Sequence, residues 1–232
     1  MERFDRIYDR PKLHRMERLR TYPSYARAER IADGTMHAVG VIGAVSGTVV
    51  LLVWAAGLAT PGQMAALSIY GATLIATFVA SAFYHLTPWE GIRPILQRCD
   101  HAAIYLKIAG TYTPLVVLIG TGFAYAVLGL VWTLAVIGLV LKLFFWRTPG
   151  RFGPALYLIM GWLSLALVWS LWPVVPVAAM VLIGIGGLLY TGGVPFHLAE
   201  RLKFSIAIWH GFVVAASACF FAAILLAVGA GL

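Results

Sequence analysis

Gly122–Trp146 reads GFAYAVLGLVWTLAVIGLVLKLFFW, and its first 20 residues carry no charged side chain. A helix rises about 1.5 Å per residue, so about 20 such residues cross the roughly 30 Å hydrocarbon core of a bilayer. The run is too long, and too tolerant of glycine, to be a strand of a membrane barrel, which needs about 9–11 residues of alternating polarity. The single charge of the stretch, Lys142, stands close to its end.

Outward from this run, hydropathy divides the chain into seven candidate spans, at 32–57, 65–86, 100–120, 122–146, 155–172, 174–197 and 205–229. Turn residues separate them: Thr60-Pro61-Gly62, Thr87-Pro88, Gly120-Thr121-Gly122, Thr148-Pro149-Gly150 and Trp172-Pro173. The whole chain of 232 residues is 61% hydrophobic and 11% charged. A water-soluble domain carries about 25% charged residues, so most of this surface faces lipid. The expected fold is an all-α membrane protein, a seven-transmembrane helical bundle. The first apolar run begins near Ile31, behind a long polar segment, which is not the layout of a cleavable signal peptide. Cys99 and Cys219 sit at or within apolar segments and give no disulfide framework.

Charge sets the expected orientation. Of the 17 Lys and Arg, nine precede residue 31, and most others fall between spans 2 and 3, 4 and 5, and 6 and 7. Cytoplasmic loops carry the basic excess. The N-terminus is therefore expected in the cytoplasm and the C-terminus outside, in a plasma (inner) membrane. Residues 1–30 form a basic juxtamembrane segment and residues 31–232 the transmembrane domain. The net charge of +8 points to anionic inner-leaflet headgroups and membrane lipids as partners, and not to nucleic acid.

This orientation gathers the polar residues at one depth. Glu29, Asp33 and His37, at i, i+4 and i+8, share one face at the start of span 1. Ser81 and His85 end span 2, Asp100 and His101 open span 3, His197 ends span 6, and His210 lies about one and a half turns into span 7. Ionisable groups inside spans are expensive and mark function. Imidazoles and a carboxylate from separate helices can enclose zinc. The expected ligands are His85, His210 and Asp100, with Ser81 and Asp100 as catalytic candidates. Glu29, Asp33, His37, His101 and Lys107 are placed one step back. A bland reading stands beside this one: each group simply rests at headgroup level.

The ordered set Glu29-Arg30-Ile31-Ala32-Asp33 with His37, Ser81-Ala82-Phe83-Tyr84-His85, Asp100-His101-Ala102-Ala103-Ile104-Tyr105, Ala109-Gly110-Thr111-Tyr112-Thr113-Pro114 and Ala207-Ile208-Trp209-His210 resembles the hemolysin III proteins. These are the bacterial branch of the progestin and adipoQ receptor family, which includes the adiponectin receptors. The resemblance covers nearly all of the chain after residue 28 and implies seven helices with the N-terminus inside. It also implies a zinc site from a span 2 His (His85), two span 7 His and, through water, the span 3 Asp (Asp100). The second span 7 His is His210. The first, in a His-x-x-x-His pattern, is Ile206 here, and a further His of the family is Phe220. Lys107 replaces an apolar residue. Its ammonium either substitutes for metal charge near Asp100 or snorkels toward the headgroups.

Some relatives look like zinc-dependent hydrolases of lipid amides. A role in membrane-lipid homeostasis is therefore expected, as hydrolase or as non-catalytic regulator. The alternative is a cytolytic pore-forming hemolysin, which the family name implies.

Overall fold

Each apolar run forms a helix in the computed structural model of the chain, which describes residues 25–145, 152–199 and 201–231. Most of the basic juxtamembrane segment, and the turn at Thr148-Pro149-Gly150, lie outside the described residues. Helix α1 runs Arg27–Ala55, α2 Pro61–Leu86, α3 Arg93–Ile119 and α4 Gly122–Phe144. The fifth span is divided into α5 (Phe152–Trp162), a 3-10 turn (Leu163–Leu167) and α6 (Val168–Leu171). Helices α7 (Val177–Leu198) and α8 (Ser205–Ala230) follow. Among the described residues seven helical segments are long and apolar enough to cross a membrane, and none is a strand.

Helices α1 and α3 begin five and seven residues before their apolar runs do. α1 starts at Arg27 because the Glu29 carboxylate accepts the Ala26 N–H at 2.9 Å, closing the first turn. α3 starts at Arg93, well ahead of the expected 100, because Pro94 fills a first-turn position that has no N–H bond to lose. At the opposite end of the bundle the turns follow their sequence. Thr60 and Gln63 bond reciprocally across the start of α2. Gly120, at φ +68°, ends α3 in the left-handed region that favours glycine, and Thr121 caps α4.

α3 is the central helix, with α2 and α4 packed along it and α7 paired with α8. α1 lies against both α2 and α8, so the first and last spans are neighbours. Leu67, Tyr70, Tyr105 and Val116 fill the interior, whereas Val53, Phe144, Leu188 and Trp169 are largely exposed. An apolar exterior around a packed interior is the surface a bilayer requires. Close helix approach depends on missing side chains. A Cβ on Gly138 of α4 would stand 2.6 Å from the Tyr105 ring of α3, and one on Gly71 would collide with Thr48.

The break in the fifth span is covered from α3. Tyr112 Oη lies 2.6 Å from the Met160 carbonyl and 2.9 Å from that of Gly161. Where α geometry gives way to 3-10, these carbonyls find a phenol in place of the water that lipid cannot supply.

Candidate metal centre

Three helix ends build the site. The Glu29, Asp33 and His37 face of α1 turns inward, and Asp33 and His37 are 5% and 2% exposed. His85 lies in the last turn of α2, whose end is clamped by Arg93. The guanidinium donates to the Tyr84 and Thr87 carbonyls at 3.1 and 2.7 Å, and Glu90 holds it from the other side at 2.8 Å. Glu90 lies between the spans, and its hydrogen bonds from Arg93 keep its carboxyl below the usual glutamate range. His210 comes from α8, two turns from the Phe204 cap.

These elements bring His37, His85 and His210 together. Their ring centroids are 4.3 Å (His37–His210), 4.6 Å (His85–His210) and 5.1 Å (His37–His85) apart. One nitrogen from each falls within 4.8 Å of the others. Asp33 faces all three. Its Oδ1 is 2.6 Å from His210 Nδ1, and its Oδ2 is 3.5 Å from His37 Nε2 and 3.7 Å from His85 Nδ1. Asp100 Oδ2 stands 4.0 Å from His85 Nε2 on the far side. The Ser81 hydroxyl interacts with the Asp100 carboxylate.

The donor set fits zinc. Nitrogen ligands at about 2.0–2.1 Å around a tetrahedral ion are about 3.4 Å apart, and one nitrogen of each ring already lies within 4.8 Å of the others. Asp33 engages His210 through Nδ1 and so directs Nε2 of that ring toward an ion. His37 Nε2 is buried, and its nearest polar neighbour is Asp33 Oδ2 at a long 3.5 Å, a state that a metal would relieve. The third imidazole beside His85 and His210 is thus His37 of α1, a residue the sequence reading set one step behind the ligands. Ile206, which the resemblance sets where a first span 7 His is expected, is half-buried on α8.

Other residues of the polar layer have separate neighbours. Glu29 Oε1 accepts the Phe204 N–H at 2.8 Å, tying the start of α1 to the cap of α8. His101 and His197 face each other edge-on at 6.4 Å, outside the imidazole trio. Lys107 fulfils neither expectation. Its Nζ donates to Ser217 of α8 at 2.7 Å, away from Asp100, and at 6% exposure the side chain does not snorkel to the headgroups. Its seven-residue offset from Asp100 carries it too deep for both. Sequence reasoning also missed Arg93, although Glu90 three residues before it is a local ion-pair signal. For Ser217 and Tyr190, which surround Lys107, no spacing gave notice.

Comparison with known proteins agrees with this architecture. A family described as haemolysin-III related matches residues 26–221. A hemolysin-3 homolog of Bacillus subtilis (strain 168) is 34% identical over 199 residues, covering 85% of this chain and 93% of the relative. Hemolysin-3 of Bacillus cereus is 33% identical over 85% of this chain and 90% of its own length. Monocyte to macrophage differentiation factor of Homo sapiens is 29% identical over 67% of each chain. With seven apolar helices and a family match that runs from the first of them into the last, this chain is a multi-pass membrane protein and belongs to the hemolysin III-related family.

Proposed function

We propose that the protein is a zinc-dependent membrane protein of lipid homeostasis, whose metal is held by His37, His85 and His210. The single observation that carries this reading is the convergence of three buried imidazoles on one point, with a carboxylate facing each of them. Burying Asp33 and three imidazoles in a bilayer costs several kcal/mol without compensation, and a divalent ion provides it. When bound, zinc supplies a Lewis acid able to polarise an acyl carbonyl. The protein's own residues orient the ligands through Asp33. Asp100, with Ser81 beside it, is placed to hold a proton at the edge of the cluster. With the N-terminus in the cytoplasm, the centre lies at the inner leaflet, where the basic segment meets anionic headgroups. Hydrolysis of a lipid amide is the finer form of the proposal, in a plasma (inner) membrane.

Metal analysis of the purified protein tests it. Zinc is expected at one equivalent, with loss in His37→Ala, His85→Ala or His210→Ala and retention in Asp100→Asn. Deletion is expected to change phospholipid or acyl-chain composition, restored by wild type and not by His85→Ala. Metal-free wild-type protein, or full zinc in His37→Ala, would sink the ligand assignment. The names of the Bacillus relatives carry the second reading, lysis. No polar face runs the length of a span, and Leu67, Tyr70 and Val116 pack the half of the bundle away from the imidazoles. Leakage of dye-loaded liposomes by the purified protein would reverse the preference.

A further inference from the structure

About two turns farther along α3 and α8 than Asp100 and His210, a second polar group sits in the apolar interior. Lys107 Nζ lies 2.7 Å from Ser217 Oγ, and each residue is 6% exposed. Tyr190 Oη, from α7, stands 3.0 Å from the same serine oxygen. The Phe78 and Tyr190 rings pack on the amine, with centroids at 4.7 and 5.1 Å. Ser217 also donates to the Val213 carbonyl one turn back. Among the described residues no carboxylate lies within ion-pairing distance of Lys107.

A lysine retained in hydrocarbon for stability is expected to have an acidic partner. This one has a serine oxygen, a phenol and two ring faces. A serine within hydrogen-bond reach of a desolvated lysine, with a further hydroxyl donor beside it, is how lysine serves as general base to a serine nucleophile. Tyr190 is half-buried, and α7 packs along α8 while making little contact with α3. Tyr190 is the least buried of the three, so an acyl chain has its shortest way in from the lipid on that side.

We propose that Ser217, Lys107 and Tyr190 form a serine–lysine acyl-transfer site acting on the ester or amide carbonyl of an acyl lipid. The Ser217 hydroxyl swings from the Val213 carbonyl to Lys107 Nζ and gives up its proton there as Oγ bonds to the acyl carbon. Tyr190 donates a hydrogen bond to the carbonyl oxygen as charge develops on it. The bond to the leaving alcohol or amine breaks, and the leaving group takes the proton from Lys107. Water then attacks the acyl-serine, Lys107 accepts its proton and returns it to Ser217 Oγ, and the fatty acid departs. The site shares no residue with the imidazole cluster, so it goes beyond the zinc proposal and does not rest on it.

An alkyl fluorophosphonate, which phosphonylates an activated serine with loss of fluoride, tests the site on the full chain in lipid nanodiscs. Peptide mass spectrometry is expected to place the adduct on Ser217. Ser217→Ala abolishes it, Lys107→Met slows it at least tenfold, and Tyr190→Phe slows it less. A zinc chelator leaves the rate unchanged, which separates this proposal from the metal reading. Absence of an adduct on Ser217 in wild-type protein overturns the proposal, as does a wild-type rate in folded Lys107→Met. Loss of labelling on zinc removal would assign the nucleophile to the metal centre and overturn it equally. The wild-type measurement decides by itself, so a variant that does not fold leaves the proposal open to refutation.

Discussion

Asp33 is the residue on which the candidate centre turns, since one carboxylate faces three imidazoles and bonds His210 at 2.6 Å. Outer carboxylates of this kind fix a ligand's tautomer and raise its basicity. Asp33→Asn keeps the shape and removes the charge. Its expected result is a zinc affinity about 10–100-fold weaker, with stoichiometry retained, read by competition with a chromophoric chelator. Unchanged affinity would show that Asp33 does not orient the ligands. The sequence already put Asp33 and His37 on one face, and the i, i+4 spacing made that face legible. It could not show that the face meets α8, because the distance from His37 to His210 is tertiary and no local pattern encodes it. Ile206 breaks the expected His-x-x-x-His pattern. The imidazole that stands with His85 and His210 comes instead from the other end of the chain.

Among the helices, α3 is the one all others are measured against, and small residues on its neighbours let them approach. Gly138 of α4 faces the Tyr105 ring, where even a Cβ would stand 2.6 Å away. Gly138→Leu should push α4 off α3 and cost about 1–3 kcal/mol as overpacking, read as a lower midpoint of thermal unfolding in detergent. A midpoint equal to wild type would mean that α4 is not held against Tyr105. Hydropathy located all seven spans, because burial in lipid needs long unbroken apolar runs. It misplaced the start of α3, because Arg93, Gln97 and Arg98 are helical without being apolar. It also read the fifth span as one continuous helix. The run Leu163–Leu167 is as hydrophobic as its neighbours, and what makes its 3-10 turn tolerable is Tyr112, a partner distant in sequence.

For the molecule as a whole, the basic residues argue for one orientation. Nine of the 17 Lys and Arg precede residue 31, and none follows Lys203. Positive charge stays on the cytoplasmic side, so alkaline phosphatase fused after Leu232 should be active and a fluorescent protein at the same point dark. The reverse pattern would turn the bundle over and place the imidazole cluster at the outer leaflet. The seven-helix architecture is more legible in sequence than the site is, since counting spans needs only local composition. The site needs the order in which those spans close around one another.

That closure has a consequence for how the protein is made. Asp33 and His37 leave the ribosome early and His210 near the end, about 10–35 s later at ordinary rates of synthesis. Through that interval a carboxylate and an imidazole on α1 wait in the membrane without their partner on α8. On the proposed reading, zinc uptake belongs to maturation and not to insertion. A chain cut short before α8 lacks His210, the third donor. The three imidazoles can meet only once α8 has been made.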